Sequence, residues 1–325
     1  MENQMTLDLH KEQFADAIRL ASESLGISPT YVEKDYWITK MLRRLSESNL
    51  APHVVWKGGT SLSKGYGIID RFSSDIDIAV ITGDMSGNKI KNLLSSATKL
   101  MTEGLVEMDM PGETSKGSRF RKTYHRYNSV IAMSNEKALV GDHVIVEINS
   151  FANPYPYERR PVSSFIAQAL QLKGHNLLVE KFRLQPFDIN ILDLRRTLCE
   201  KVASLLRFSF GNDPVMELGK KIRHFYDLHF LSHNGACQEY LATDFLTELQ
   251  ELVHHDKATF STPANWPDSD MATSPLLTSF DQIWPSLSKR YEEELAMLAF
   301  RPIPASDQVG ESVKQILKLI INSSF

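Results

Sequence analysis

The chain is poor in cysteine, has no long apolar run and carries little net charge, and each shortage removes a class of protein. Only two cysteines, Cys199 and Cys237, occur in 325 residues, and they fit no metal-binding or redox spacing. A disulfide scaffold is thereby excluded, and both thiols are expected to be reduced and buried within helices. No apolar run approaches the length of a membrane span, and the N-terminus has no signal-peptide core. A cytoplasmic protein without membrane contact is therefore expected. The formal net charge of -4 excludes a protein that coats nucleic acid by bulk charge, so any such contact must be local. Neither an internal repeat nor a low-complexity tract occurs. With 42% hydrophobic and 23% charged residues the composition is globular, and the length suits two domains or one large one.

Against that ordinary background one stretch stands out, VVWKGGTSLSKGYGIIDRFSSDIDIAVI, from Val54 to Ile81. A β-branched run leads into the pair Gly58–Gly59, followed by Thr60, Ser61, Ser63 and Lys64. The stretch ends in a strand whose period-2 alternation puts Asp75 and Asp77 on one face and Ile76, Ile78 and Val80 on the other. Two neighbouring carboxylates repel each other unless a cation compensates them. Hard divalent ions, Mg²⁺ above all, are held by one or two carboxylates plus substrate phosphates. A glycine turn with free N–H groups and hydroxyls just upstream suits such phosphates. Taken separately, Asp-x-Asp is commonly a solvated face and Gly-Gly a turn; their order together points to a metal–nucleotide site. Two other motifs fail here: Lys64 precedes Gly65, which rules out a P-loop, and Ser63 stands where a nucleophile elbow needs glycine.

The rest of the chain supplies candidates with open alternatives. Helices are expected over 8–26 and from Val32 to Leu45, and the clustered Glu33, Lys34 and Asp35 read as helix-end charges on a solvated face. A helix follows from about Gly87 to Glu103. The stretch from Ser118 to Ile131 is strand-like, with Arg119, Arg121, Lys122 and Arg126 interleaved by Phe120, Tyr124 and Tyr127, and Lys116 just before it. It suits phosphate contact with base stacking, or an edge strand guarded by charge. Glu147 interrupts the apolar strand Val144–Ser150, either as a third metal carboxylate beside residues 75–81 or as an exposed edge position. Strand pieces are expected at 178–184 and 188–192, and an almost wholly helical pattern from Asp193 onwards. Within it, Lys201 and Asp227 read from the residues alone as solvated helix charges or an inter-helix ion pair.

Four separated blocks in order give these residues a family resemblance. Lys57–Lys64, Arg71–Asp77, Val32–Trp37 and Leu194–Val202 together resemble the AbiEii/AbiGii toxin group, which includes the mycobacterial MenT toxins and belongs to the polymerase-β-like nucleotidyltransferase superfamily. The resemblance covers about residues 30–230. It implies an α+β fold: a nucleotidyltransferase-fold mixed sheet flanked by helices, with a C-terminal all-helical lobe. The expected domains are N-terminal helices over 1–50, a catalytic core over 51–155 and a mainly helical lobe over 156–325. The resemblance further implies that Asp75 and Asp77 bind metal and act catalytically, that Gly58, Gly59, Thr60 and Ser61 cradle phosphates, and that Lys201 and Asp227 face the nucleotide. Lys64 and Arg71 would neutralise phosphate charge, and Glu147 would help to hold a second ion. The expected activity is Mg²⁺- (or Mn²⁺-) dependent transfer of a nucleotide from an NTP to an RNA acceptor such as a tRNA 3′ end, with a cognate antitoxin as partner. Transfer onto a protein, γ-phosphoryl transfer, or a non-catalytic nucleotide- or RNA-binding module are the competing expectations.

Overall fold

A computed structural model describes residues 6–132 and 140–323. The chain divides into two compact units, one of Met1–Gly67 with Phe72–Leu192 and one of Ile68–Arg71 with Asp193–Phe325.

The first unit is built on a mixed sheet. Its strands are β1 (Val54–Lys57), β2 (Asp75–Val80), β3 (Val106–Met108), β4 (Ser115–Lys116), β5 (Phe120–Arg126), β6 (His143–Asn149), β7 (Tyr157–Val162) and β8 (Phe187–Leu192). They lie in the order β3-β5-β6-β2-β1-β8-β7, with β4 paired to β5. The centre is apolar for the expected reason: Val54, Val55, Trp56, Ile76, Ile78, Val144, Val146 and Ile148 are all buried. Because β7 and β8 hydrogen-bond into this sheet, it continues past residue 156 and the helical part begins at Asp193. Residues 178–184, expected as a strand, belong instead mostly to the helix Asn176–Lys181 and the turn after it. The seven residues LVEKFRL are too few for their mixed apolar and charged pattern to separate a strand period from a helical one.

Helices α1 (Lys11–Leu25), α2 (Pro29–Ser46), α3 (Gly58–Lys64) and α4 (Gly87–Met101) complete the part of the unit that concerns the site. The helix α2 departs most from expectation. Glu33, Lys34 and Asp35 are not a solvated helix end; their residues are 1%, 0% and 1% exposed. The reason is geometric. Tyr31, Val32, Tyr36, Trp37 and Ile38, all buried, flank them, and at 100° per residue these positions leave the N-terminal half of α2 no face for water. Each charge is therefore met inside the protein. Glu33 accepts from Ser129 Oγ (2.5 Å) and Val130 N (2.6 Å), and Lys34 Nζ donates to the Val140 carbonyl (2.7 Å). Asp35 forms a buried ion pair with Lys64 and accepts from Phe165 N (2.8 Å).

The second unit is helical. The helices Leu194–Ser209, Ile222–His233, Phe280–Leu298 and Ser306–Ile321 bury Leu198, Val202, Phe225, Leu228, Leu287, Leu295, Val313 and Ile316. Cys199 and Cys237 are free, buried thiols, and burial pushes both up to about 12. Among the described residues no helix is long and apolar enough to cross a membrane.

Breaking the Asp35–Lys64 pair from one side leaves a lone charge in the interior. Asp35→Asn or Lys64→Met should each lower the unfolding free energy by about 3–5 kcal/mol, and the double variant should recover part of it. Urea denaturation at pH 7 measures this, and single losses within about 1 kcal/mol would mean that water reaches the pair.

Candidate active site

The site begins where β1 runs into α3. Gly58 has φ +82, in the left-handed region that glycine tolerates without a Cβ penalty. A Cβ built there would overlap Asp77 Oδ2 and lie 2.9 Å from its Cγ. Position 58 must therefore be glycine on two counts, conformation and space. The Thr60 hydroxyl donates to the Asp75 carbonyl at 2.6 Å, and the Ser61 hydroxyl donates to the Gly58 carbonyl at 2.8 Å. Both residues are buried, so their side chains lock the turn to itself and to β2. Lys64, the expected phosphate ligand, instead donates to Asp35 and to the Ser163 carbonyl, with 4% of its side chain exposed.

Strand register then assembles the carboxylates. Asp75 and Asp77 are both half-buried on one face of β2. Across the sheet Lys57 pairs with Asp77, Asp77 with Glu147, and Glu147 with Lys122. Directly opposed residues share a face, so one row crosses four strands as cation, anion, anion, cation. Lys122 Nζ lies 3.0 Å from Glu147 Oε1. Burial would lower the Lys122 ammonium, but the Glu147 charge outweighs it and holds the group above its ordinary value. Asp75 Oδ1 accepts from Ser74 Oγ at 2.9 Å. Lys34 is lowered to about 8 by burial, against the pull of the Asp75 and Asp142 charges, and so stays cationic at neutral pH.

This donor set can be tested against a divalent ion. Two half-buried carboxylates on one strand face are hard oxygen donors of the number Mg²⁺ takes from protein when phosphates complete its shell. The Asp77 carboxylate is also fixed against a turn with no side chain in the way. Among the described residues, no group of three or more His, Cys, Asp or Glu is arranged to hold a metal. The pair Asp75 and Asp77 fits one ion; Glu147, in this arrangement, holds Lys122.

The remaining expected residues gather in the second unit. Arg71 forms a bidentate pair with Asp227, Nε to Oδ1 at 2.7 Å and Nη2 to Oδ2 at 2.6 Å, and Lys201 Nζ lies 2.7 Å from the same Oδ2. All three are buried, and Lys201 with Asp227 forms the inter-helix ion pair, one of the two expectations for them, rather than solvated helix charges. Burial alone would push the Asp227 carboxyl up; the Arg71 and Lys201 charges overcome this and hold it well below the usual carboxylate range. Desolvation and the Lys201 and Lys221 charges keep the His224 ring neutral. Asp227 is thus shared by two cations, Arg71 and Lys201.

The basic strand is less open than its composition implies. Lys116 pairs with Glu107 (2.7 Å), Lys122 with Glu147 and Arg126 with Asp142 (3.4 Å), while Arg119 is exposed. Sequence reasoning missed Glu33, Lys34, Asp35 and Lys122. The signal for the first three was the apolar residues on both sides of them along α2; for Lys122 it was its place opposite Glu147, which needs the register.

A mixed sheet in which a glycine turn and short helix press against a strand bearing two carboxylates defines the nucleotidyltransferase class. The family model described as nucleotidyl transferase AbiEii toxin, type IV toxin–antitoxin system, matches residues 40–316, and the chain belongs to that family. It is a nucleotidyltransferase of that toxin family. Among solved structures the chain is similar to MenT4, a nucleotidyltransferase toxin from Mycobacterium tuberculosis H37Rv. The two are 15% identical with a TM-score of 0.51, over 94% of this chain and 90% of that one, a likeness of fold. Among curated proteins no sequence matches.

Two outcomes follow from this geometry. Gly58→Ala should displace the Asp77 carboxylate and lower nucleotidyl transfer about 100-fold or more with little change in far-UV circular dichroism; misplacement of about 1 Å is enough for that. Retention of full activity would show that the turn yields without moving Asp77. Asp227→Asn strands two buried cations and should cost about 3–5 kcal/mol at pH 7. A carboxylate depressed in the folded state stabilises above its unfolded value of about 3.9 and loses that contribution as pH falls through the folded one. The stability gap between wild type and Asp227→Asn should therefore be flat from pH 7 to 5 and narrow below about pH 4, as measured by denaturant titration across that range.

Proposed function

We propose that the protein transfers a nucleoside monophosphate from an NTP to an RNA acceptor, with Asp75 and Asp77 as the metal carboxylates. The observation that carries this is the close approach of Gly58 to Asp77, which sets the backbone of a phosphate-sized turn against one of two acids on a single strand face. A divalent cation such as Mg²⁺ or Mn²⁺, held by these two acids, would supply charge neutralisation at the triphosphate and lower the pKa of the acceptor hydroxyl. The Gly58–Ser61 backbone N–H groups are assigned to the phosphate tail, since the Thr60 and Ser61 hydroxyls are already engaged with carbonyl oxygens. The ties of Thr60 to β2 and of Lys64 to Asp35 hold this turn rigid, so its donors need no reorganisation when charge develops. Lys201 and Asp227 enter through their family motif positions, and Arg71 and Lys201, two cations held by one carboxylate, are of the charge that suits a polyphosphate.

RNA as acceptor rests on the family resemblance and on cations near β5, of which Arg119 is exposed. An antitoxin partner follows from the type IV toxin–antitoxin family. NTP and Mg²⁺ are both cytoplasmic, and the reaction is assigned there.

Purified protein, total RNA and Mg²⁺ with α-³²P-labelled NTPs should give labelled RNA and free pyrophosphate, and Asp75→Ala should lower the rate by about 100-fold or more. Label that survives ribonuclease and is lost to protease would make a protein the acceptor. Transfer from γ-labelled NTP alone would make the enzyme a kinase. Undiminished labelling by Asp75→Ala would remove Asp75 from the chemistry.

A further inference from the structure

The charged row across the sheet holds more compensation than a metal site of three carboxylates would need. Asp77 and Glu147 are register partners on parallel neighbouring strands, which run about 4.8 Å apart, so their charges meet on one face. Like charges directly opposed on a sheet are destabilising. The chain answers this within itself: Lys57 lies opposite Asp77 on β1, and Lys122 lies opposite Glu147 on β5. Lys122 is not a passing surface contact. Its Nζ is 3.0 Å from Glu147 Oε1, with 29% and 27% of the two side chains exposed, so each is largely shielded from competing water. Two residues along the same face of β5, the Tyr124 hydroxyl donates to Glu113 Oε2, and the Tyr124 ring centroid lies 5.8 Å from Lys122 Nζ. The ammonium therefore sits against Glu147 and beside an aromatic ring that is itself tied to Glu113, on the side of the row away from Lys57.

We propose that Lys122 is a positioning residue that takes the place of a second divalent cation: Glu147 serves as the anchor of Lys122 rather than as a metal ligand, and the site takes a single ion on Asp75 and Asp77. This rests on the metal-dependent function proposed above and specifies its charge arrangement. Two points on the structure favour it over a three-carboxylate, two-ion site. Glu147 Oε1 is already engaged by the Lys122 ammonium at 3.0 Å, although Asp75, Asp77 and Glu147 share a face. The row Lys57, Asp77, Glu147, Lys122 is moreover charge-neutral as it stands, two cations against two anions. A second divalent ion at Glu147 would meet the Lys122 ammonium at ion-pair distance.

The consequence is measurable without turnover. Mn²⁺ binding, read by electron paramagnetic resonance on the full chain with a non-hydrolysable NTP analogue, should show one ion for wild type. It should show one for Glu147→Gln, and one for Lys122→Arg, which keeps the charge. Lys122→Met, whose fold is checked by its melting temperature, leaves Glu147 uncompensated and should admit an additional Mn²⁺. Asp75→Asn and Asp77→Asn should each abolish tight binding. Two ions on wild type, one of them lost in Glu147→Gln, would overturn the proposal while leaving the metal-dependent function intact. Mn²⁺ binding indifferent to Asp75→Asn and Asp77→Asn would instead overturn that function, and this proposal with it.

Discussion

The Asp77 carboxylate is pressed against a residue that has no side chain, and most of what surrounds the site serves to keep it there. Gly58 at φ +82 turns the chain from β1 into α3 at a distance from Asp77 that no Cβ could share. The contact has value only if the two strands cannot slide. Register between β1 and β2 is fixed over four pairs, and the Thr60 hydroxyl adds a cross-tie to the Asp75 carbonyl. A slip of one residue would reverse every side chain on β2 and exchange the acids for Ile76 and Ile78.

Helix α2 holds this arrangement from one side of the sheet. Its three consecutive charges point around the helix and each meets a different segment: Glu33 the chain after β5, Lys34 the start of the chain into β6, Asp35 the end of α3 through Lys64. Burying a charge costs stability unless it is paired or hydrogen-bonded, so stability alone does not explain three buried charges in a row, one ion-paired and two hydrogen-bonded to backbone and hydroxyl groups. Directional donors and acceptors place backbone segments in a way that apolar contact cannot. The charges fix where the turn and β6 stand, and Lys34 adds a cation within electrostatic reach of Asp75.

How far this could be read from the sequence follows from the range of the interactions. Asp75 and Asp77 on one strand face, the glycine turn before them and the sheet with a helical second part were legible, because alternation, glycine and helical spacing are local signals. Charges in the first unit were misread where their partner lay far along the chain, whereas for Lys201 and Asp227 the inter-helix ion pair was one of two open alternatives. Lys64 and Asp35 are 29 residues apart, Glu33 and Val130 are 97, Asp35 and Phe165 are 130, and Arg71 and Asp227 are 156. Without the partner, a charged residue in a helix defaults to the surface. Lys122 shows the same limit on a strand: its basic neighbours suggested a nucleic-acid face, yet the register gives it to Glu147.

The chain thus treats its cations in two ways. Lys64, Arg71 and Lys201 are buried against single carboxylates, where desolvation forbids an unpaired charge and the pair becomes a fixed point of the framework. Lys57 and Lys122 instead flank half-buried acids on inner strands of the sheet, where each keeps partial solvent access. Glu147 belongs with the second kind: it lies between Asp77 on β2 and Lys122 on β5 and is engaged with the latter. On the single-ion arrangement proposed above, the third acid of the sheet is the support of a cation rather than the seat of one more ion.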